Sequence, residues 1–339
     1  MPKKKKKQVK KGMFKSIQEK VFSGISKGIE DAVKKFTVSI LSAFFVAIGV
    51  LFSTYGTDVF KASVVDTTET LQDLIDKTQN NQELDISNLS FTGSFTINKN
   101  IHLKGNNKTI LSSSDKNGVI LTIENNAQVE IDGIMFKGAK KAVYAKEDSA
   151  LNVKNSIFTD NQVGIYISNA SDINIENSFI EGSSDHAIYI SGLIKGKIYK
   201  NTLSKNRIGI RLENSSINIT ENLIKNSNDN GLYLFSDSSN IYKNYLNRIY
   251  YGSGVNFRKG THSTKIYENT IASSNIGIYS VSSADTSSVS AYKNNFLDIS
   301  ENEIIVKDKN SENFYENQAL DENDELSVEN FGCYMEICL

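Results

Sequence analysis

The sequence contains no tryptophan and a single proline, Pro2, in 339 residues. It is rich in asparagine and serine and has 21 glycines. Asparagine and glycine tolerate the left-handed backbone conformations that tight turns need. The composition therefore argues against a helical enzyme and favours a fold of many short strands joined by turns. The length suits one large domain or two ordinary ones.

The middle of the chain lacks net charge, although both ends are strongly charged. Residues 1–35 carry twelve lysines against three acids, a net charge of +9, and residues 301–339 carry eleven acids against two lysines, a net charge of −9. Because the overall net charge is −1, the middle is almost neutral. A basic surface for nucleic acid is not expected there, so we predict no nucleic-acid partner.

Only two cysteines are present, Cys333 and Cys338, and no histidine lies near them. This lack of histidine argues against a metal site at the two thiols. The two cysteines could form a disulfide that holds the C-terminal tail, if this part of the chain is outside the cell, or they could remain reduced thiols. The sequence does not decide between these alternatives. We predict no bound metal from these residues.

Residues 36–55, FTVSILSAFFVAIGVLFSTY, lack any charged residue. Twenty helical residues span roughly the 30 Å hydrocarbon core of a bilayer. Lysines precede the segment, and this bias places the N-terminus in the cytoplasm and the chain after about residue 56 outside. The sequence thus predicts a single-pass membrane protein. The 35 residues before the segment are too long for the n-region of a cleaved signal peptide.

From about residue 140 the sequence repeats with a period near 23. An asparagine follows a charged residue at steps of 21 to 25 residues, and a tetrad such as GIYI at Gly164 falls eight to ten residues after each of the first six asparagines. Eight markers at so regular a spacing indicate a repeat architecture. The asparagines are Asn155, Asn177, Asn201, Asn222, Asn244, Asn269, Asn294 and Asn317.

A unit of about 23 residues is too small to bury its own core, so we expect coils that bury their apolar residues against one another. Parallel strands of successive coils would lie about 4.8 Å apart. The asparagines are expected at turns, where their amides hydrogen-bond along the stack. The preceding charge alternates from Lys154 to Glu316, as one column of in-register pairs would require. A shift in apolar spacing predicts a bulge or shifted turn between residues 177 and 198.

The pattern GIYIxxxxxxxIENS, which starts at Gly164, resembles the parallel β-helix repeat of the pectin-lyase-like superfamily, especially its periplasmic copper-processing (NosD-like) and carbohydrate-active branches. LQDLIDKT at residues 71–78 resembles the helix that caps such domains, and FTINKNIHLKGNNKTIL at residues 95–111 resembles a first coil. The resemblance covers about residues 70–318. It implies an all-β fold, a right-handed parallel β-helix of about ten coils, but it does not imply a reaction, because the repeat residues are scaffold.

If the tetrads form one strand of each coil, their third residues make an outward column. The turn before this strand contributes Asp185, Arg207 and Asp229, and Glu213 and Arg258 follow it. Tyrosines beside fixed arginines suit sugar rings and uronate carboxylates. Tyrosines that only stack on their cross-strand neighbours are the structural alternative. We predict glycan binding by Tyr166, Tyr189, Arg207, Arg211, Tyr233 and Arg258, with Lys259 and His262 at the margin.

The candidate catalytic residues are Asp185, His186, Arg211 and Asp229. Arg207 between the two aspartates would keep both ionised, which opposes a general acid, and the hydrolase motifs DD, HG and RIK are absent from the sequence. In a lyase or epimerase, the resemblance implies Arg211 or Arg258 as base or clamp, with Glu213 and Asp229 holding calcium. No other cofactor is expected, and His102 is expected to face solvent.

These observations predict a membrane-anchored β-helix outside the cell that binds a polysaccharide or cell-surface glycan or serves as a structural module. The alternative is a polysaccharide lyase, C5-epimerase or glycoside hydrolase that acts on an acidic polysaccharide. The oligomeric state is open. The expected regions are a basic amphipathic cytoplasmic segment (1–35), a transmembrane helix (36–55), a linker with a capping helix (56–80), the β-helix (81–318) and an acidic C-terminal cap (319–339).

Overall fold

The computed structural model describes residues 69–192, 195–235, 238–258, 263–280, 289–306 and 313–320. The predicted amphipathic segment (1–35), the predicted transmembrane helix (36–55), the start of the linker and most of the acidic C-terminal cap lie outside these residues. So do His262 and both cysteines. Within the described ranges, no helix has the length and apolar character needed to cross a membrane.

One helix, α1 (Leu71–Lys77), precedes the strands, in the segment that resembles a capping helix. Its N-terminus is closed by a capping box: the Thr70 hydroxyl accepts a hydrogen bond from the Asp73 amide, and the Asp73 carboxylate accepts one from the Thr70 amide. These contacts satisfy two donors that a helix start leaves without partners. Leu71 and Ile75 are buried in the hydrophobic core, so the helix closes one end of it.

All other regular elements of the described residues are strands, and every described pairing between them is parallel. The first fourteen are β1 (Gln82–Asp85), β2 (Ser90–Thr92), β3 (Phe95–Ile97), β4 (Ile101–Ser112), β5 (Val119–Ile123), β6 (Gln128–Lys137), β7 (Lys141–Ala145), β8 (Ala150–Lys154), β9 (Ile157–Thr159), β10 (Val163–Ser168), β11 (Asp172–Glu176), β12 (Phe179–Glu181), β13 (His186–Ser191) and β14 (Lys195–Tyr199). The remaining strands are β15 (Thr202–Ser204), β16 (Ile208–Glu213), β17 (Ser216–Thr220), β18 (Leu223–Ser227), β19 (Leu232–Phe235), β20 (Asn240–Tyr242), β21 (Tyr245–Phe257), β22 (Lys265–Tyr267), β23 (Thr270–Ser280), β24 (Ser290–Tyr292), β25 (Asn295–Val306), β26 (Phe314–Tyr315) and β27 (Gln318–Leu320).

The strands form a parallel solenoid of about ten coils, as the sequence predicts. In the central coils each coil has three strands, and each strand pairs with the strand three places later. Sheet A contains β7, β10, β13, β16 and β19; sheet B contains β8, β11, β14, β17 and β20; sheet C contains β9, β12, β15 and β18. In later coils the strands of sheets C and A merge into β21, β23 and β25.

The core lies inside the coils, where equivalent residues of successive coils stack on one another. In sheet A the register pairs Ile165 with Ile188 and Ile188 with Ile210, and all three are fully buried. Phe136 and Phe158 stack with their ring centres 4.9 Å apart. Because each coil covers the apolar face of the next, stacking supplies the burial that one 23-residue unit lacks.

The predicted column of eight asparagines is two columns, and this part of the prediction was wrong. Asn155 and Asn177 hold the left-handed turn position, with φ of 50° and 46°. In the next coil that position belongs to Lys200 (φ 54°), and Asn201 lies one residue later, where its side chain is buried. The two columns look alike in the sequence because the offset is one residue.

From Asn201 onward the asparagines form a hydrogen-bonded ladder along the stack, as predicted. The backbone N–H and side-chain amide of each one donate to the side-chain oxygen of the next, at 2.9 to 3.1 Å. Members of the ladder are Asn201, Asn222, Asn244, Asn269, Asn294 and Asn317.

The alternating charges also fall into two columns. Lys154 pairs with Glu176 in the strand register, but its ammonium contacts Glu130 and Asp132 of the preceding coil. Tyr199, rather than Lys200, continues that column. The other six charges do alternate in one column, with Nζ–Oε distances of 3.8 Å for Lys200–Glu221, 4.0 Å for Lys243–Glu268 and 3.7 Å for Lys293–Glu316.

A shifted turn lies within the predicted interval between residues 177 and 198, because paired residues of successive coils are 22 positions apart at Thr159–Glu181 and 23 positions apart at Val163–His186. The turn before β13 is therefore one residue longer than its counterpart in the preceding coil, whereas the pairing of β11 with β14 shows no bulge among its described residues. The register runs without interruption from Asp172–Lys195 to Glu176–Tyr199. Register shifts within paired strands occur between Lys104 and Thr109, between Ile249 and Ser253, and between Ser274 and Ile276. The second of these lies beside the surface described next.

Candidate functional site

The outward column of sheet A is confirmed. The strand register aligns Tyr144, Tyr166, Tyr189, Arg211, Tyr233, Asn256 and Tyr279 in successive coils. Alternation along a strand directs these side chains away from the core. The register therefore makes one continuous face, the Tyr/Arg face, from residues that are more than 130 positions apart in the sequence.

An open groove of about 610 Å³ lies on the later coils of the Tyr/Arg face. It brings together five predicted site residues, which are Arg207, Arg211, Asp229, Tyr233 and Arg258. It also includes Asn230, Tyr251, Asn256, Tyr279 and Glu301. The other predicted residues, Tyr166, Asp185, His186 and Tyr189, are not among its lining residues.

Arg211 is fixed at the centre of this face by two aromatic rings and one carboxylate. Its guanidinium carbon lies 4.9 Å from the ring centre of Tyr189 and 5.3 Å from that of Tyr233. Glu213 accepts a hydrogen bond from Arg211 Nε at 2.9 Å and another from the Tyr189 hydroxyl at 2.9 Å. Burial and the bond to Glu213 raise the pKa of Tyr189 to about 12, so this phenol stays protonated.

Arg207 joins the two aspartates of the turn column. Its Nε and Nη2 donate to Asp185, with an Nε–Oδ1 distance of 3.1 Å, and its Nη1 lies 3.2 Å from Asp229 Oδ2. Both carboxylates are therefore engaged with a cation. Glycoside hydrolysis requires two carboxyl groups that flank the scissile bond, whereas these two flank an arginine.

His186 lies directly beneath the Tyr/Arg face, with only 3% of its surface exposed. Its Nδ1 is 3.1 Å from Asp185 Oδ2, but neither ring nitrogen makes a hydrogen bond with good geometry. The imidazole packs 5.1 Å from the ring centre of Tyr189. Burial, assisted by Arg211 and Arg207 and opposed by Asp185, lowers the pKa of His186 to about 4, so the ring is neutral at neutral pH.

In the earlier coils of the Tyr/Arg face the tyrosines contact one another, which is the structural alternative to glycan binding. Ring centres are 5.0 Å apart for Tyr144 and Tyr166 and 4.9 Å apart for Tyr166 and Tyr189. The Lys141 ammonium lies over both Tyr144 and Tyr166, at 4.1 and 3.8 Å from the ring centres. These contacts occupy the ring faces that a sugar would need.

Two groove residues were missed in the sequence analysis as binding residues. Tyr251 is 83% exposed at the rim, and Asn256 Oδ1 in the floor is buried without a hydrogen-bond partner. The register shift between Ile249 and Ser253 places Tyr251 at this rim. The lengthened step of 25 residues between Asn244 and Asn269 is the sequence signal that could have located it.

A second polar cluster lies on the first coils, away from the groove. His102, Glu130 and Asp132 each offer one ligand atom, and these atoms lie within 4.8 Å of one another. His102 was expected to face solvent, but only 28% of its side chain is exposed because it lies between Glu83 and Glu130. His102 and Glu130 are 28 positions apart, and this separation hides the cluster in the sequence.

Comparison with known proteins agrees with the fold. The sequence model of the family described as "Periplasmic copper-binding protein (NosD)" matches residues 75–254, which is more than half of the chain. No protein of curated function matches this sequence. Similar solved structures are a doubly substituted form of the periplasmic alginate epimerase AlgG (16% identity, TM-score 0.50, covering 74% of this chain and 83% of that one), unsubstituted AlgG (16%, 0.49, the same coverage) and an alginate lyase from Paenibacillus sp. str. FPU-7 (16%, 0.46, covering 74% of this chain and 95% of that one).

The copper named in the family description can be tested against the two described histidines. His186 does not suit a cation, because Arg207 and Arg211 lie close to its buried ring. His102 does, because its Nε2 is buried without a hydrogen-bond partner, 3.4 Å from Glu130 Oε1. An imidazole nitrogen with carboxylate oxygens is a donor set that suits divalent copper.

Proposed function

Since this chain belongs to the NosD family and its sheet A presents the continuous Tyr/Arg face, we propose that it is an extracytoplasmic glycan-binding module. The ligand class is an acidic polysaccharide, bound in the groove of the Tyr/Arg face. Segment 36–55 would anchor the module to the membrane. The family is described as periplasmic, and so is the structural neighbour AlgG, in keeping with a location of this chain outside the cytoplasm.

The observation that carries the proposal is the pairing of Tyr251 and Asn256 in one groove. Tyr251 presents an exposed ring to which a sugar can stack, and Asn256 Oδ1 is a buried acceptor that a sugar hydroxyl can satisfy. A buried acceptor without a partner costs about 1–3 kcal/mol, which a bound hydroxyl would recover. Polar groups of this kind set orientation in ligand sites.

Charge in the groove favours an acidic glycan. Arg211 and Arg258 line it together with Arg207, and arginine suits planar, bidentate recognition of carboxylates. Arg207 is already engaged by Asp185 and Asp229. We expect Arg211, which lies between the rings of Tyr189 and Tyr233, and Arg258, which lines the same groove, to contact uronate groups.

The test uses isothermal titration of the full chain in detergent with alginate oligosaccharides, alginate being the polysaccharide on which the structural neighbours act. Tyr251→Ala is expected to weaken binding about 5-fold, since stacking on an exposed ring contributes on the order of 1 kcal/mol. Tyr250→Ala is the matched control, because Tyr250 is 49% exposed on the same strand but does not line the groove. Equal loss in both variants, or no binding by the full chain, would contradict the proposal.

A second candidate function, proton abstraction next to a carboxylate, rests on one observation. His186 is a neutral imidazole with two unsatisfied nitrogens, and Arg207 and Arg211 lie close enough to neutralise a uronate. A lyase or epimerase needs such a base and such a clamp. Because His186 is buried, Tyr189 would have to move before a substrate could reach it.

Turnover separates this candidate from binding alone. The full chain would convert alginate into unsaturated or epimerised products, and His186→Gln would abolish turnover while leaving oligosaccharide affinity within about twofold. Arg248→Gln is a control for a change of a polar side chain elsewhere on the β-helix, since Arg248 lies on β21 and does not line the groove. Binding without any product from the unsubstituted chain would leave glycan binding as the function.

The membrane anchor has a separate test. Spheroplasts treated with protease would lose the β-helix while the basic N-terminal segment stays protected, and alkaline carbonate would not extract the chain. Protection of the β-helix in intact spheroplasts would contradict the proposed orientation.

A further inference from the structure

We propose that His102, Glu130 and Asp132 form a binding site for one divalent copper ion, with Glu83 orienting the imidazole. The site is independent of the glycan groove, since it lies on the first coils while the groove lies on the later ones. The proposal goes beyond glycan binding and stands if glycan binding fails.

The scaffold holds the three ligands at fixed positions. His102 and Lys104 lie on β4, where the parallel register places His102 beside Glu130 and Lys104 beside Asp132 of β6. β1 places Glu83 on the opposite side of His102. Sites built on paired strands keep their geometry better than sites on loops.

The imidazole is arranged as a metal ligand would be. Its Nδ1 lies 3.1 Å from Glu83 Oε2, close enough for an Nδ1–H to donate to that carboxylate when Nε2 holds a metal. Nε2 is buried, has no hydrogen-bond partner and is 3.4 Å from Glu130 Oε1. Metal-bound histidines usually donate their other N–H to a carboxylate in this way, which fixes the tautomer and the ring orientation.

The local charge leaves room for a divalent cation. Two columns bring together four carboxylates, Glu83, Asp85, Glu130 and Asp132, against the ammonium groups of two lysines. Of these, Lys104 contacts Glu83 at 2.9 Å, while Lys154 lies 2.5 Å from Glu130 and 3.6 Å from Asp132. The four carboxylates and two ammonium groups together leave two excess negative charges around the imidazole.

Lys154 therefore occupies the position that a metal would take, and metal binding must displace its ammonium. The side chain is long and flexible and can move into solvent. An open groove of about 490 Å³ that includes His102 and Glu130 provides the entry path. This competition gives the proposal a distinctive consequence, because removing the lysine charge should strengthen metal binding.

Donor chemistry selects the ion. An imidazole with carboxylates and no thiolate is a borderline set, which divalent copper binds more tightly than zinc, nickel or cobalt at comparable geometry. Calcium and magnesium prefer sites made only of oxygen. The ion expected to bind most tightly is therefore Cu(II).

The experiment titrates Cu(II) into the full chain, purified without a histidine tag and stripped with a chelator. Calorimetry gives stoichiometry and affinity, and pulsed electron paramagnetic resonance detects the remote nitrogen of a coordinated imidazole. We expect His102→Gln to lose one tight equivalent together with its nitrogen signal. His186→Gln is the matched control and should keep both.

Two further variants test the proposed geometry without removing the imidazole. Glu83→Gln should weaken binding about 10- to 100-fold, the usual effect of losing the carboxylate behind a histidine ligand. Lys154→Gln should tighten binding at least several-fold. Circular dichroism and the urea midpoint establish that each variant folds. If His102→Gln does not fold, Glu130→Gln is used in its place.

Equal Cu(II) uptake by the unsubstituted chain and by folded His102→Gln would mean an adventitious ion only and would overturn the proposal. A nitrogen signal that persists in His102→Gln and disappears in His186→Gln would overturn it as well. Weaker binding by Lys154→Gln would contradict the displacement of the ammonium.

Discussion

The side chain of Asn244 accepts two hydrogen bonds from Asn222, one from its backbone N–H and one from its side-chain amide, each at 3.0 Å. The Asn244 amide in turn donates to the Ile219 carbonyl at 2.9 Å in the preceding coil. Asn244 thereby satisfies two backbone groups of the preceding coil, the Asn222 N–H and the Ile219 carbonyl, and both of these residues are fully buried. The ladder is thus a continuous hydrogen-bonded column along one corner of the solenoid.

Replacing one ladder residue should destabilise the β-helix strongly. Asn244→Ala would leave the Asn222 N–H and the Ile219 carbonyl buried without partners, at about 1–3 kcal/mol each. We expect the free energy of unfolding to fall by roughly 3 kcal/mol or more, measured by urea denaturation. Asn240→Ala removes an exposed amide from the neighbouring column and should cost less than about 1 kcal/mol. Similar losses in the two variants would contradict the role of burial.

A glycine inside sheet A should tolerate no side chain. A Cβ on Gly209 would lie 2.5 Å from the Gly231 carbonyl oxygen and 2.8 Å from Ile224 Cγ2. Gly209→Val should therefore destabilise the domain by about 3 kcal/mol, because overpacking forces the strands apart. Gly138→Ala is the comparison, since φ is +79° but no atom lies within 4 Å of its Cβ. Its cost, from backbone strain alone, should be about 1–2 kcal/mol.

Acid should weaken the fold through His186. Its pKa is lowered to about 4, against 6.5 for an unperturbed histidine, so the unfolded chain binds a proton that the folded chain excludes. Stability is therefore complete above pH 6.5 and declines as the pH falls towards 4, by about 3 kcal/mol at most. The groups that face the ring are Asp185, Arg207, Arg211 and Glu213.

The pH effect is read as a difference between two proteins. His186→Gln lacks this titration, so the urea midpoints of the unsubstituted chain and the variant should approach each other as the pH falls from 7 to 4.5. Carboxylate titrations are common to both proteins and cancel. Parallel midpoint curves over this range would show that the buried imidazole does not titrate.

The alternating surface charges should matter little. Lys243→Glu would replace a 4.0 Å ion pair with Glu268 by a new carboxylate, and together with Glu221 and Glu268 this would make three carboxylates in succession along the column. Exposed pairs contribute about 0–1 kcal/mol, so the loss should stay near 1 kcal/mol and shrink in 1 M salt. Lys243→Gln separates the lost attraction from the added repulsion. A salt-independent loss would mean that the lysine contributes through packing.

The sequence determined the solenoid, because the 23-residue period and the alternation of apolar residues are local patterns that specify which side chains face the core. It also determined the outward column that contains Tyr189, Arg211 and Tyr233, since one strand of each coil carries a clear tetrad. The tertiary structure decided everything that depends on an offset of one residue between coils. It assigned Asn155 and Asn201 to different columns, placed Tyr251 at the groove rim through a register shift, and put Glu130 beside His102. These neighbours are more than 20 residues apart in the chain, and only the strand register, which local periodicity does not fix, brings them together.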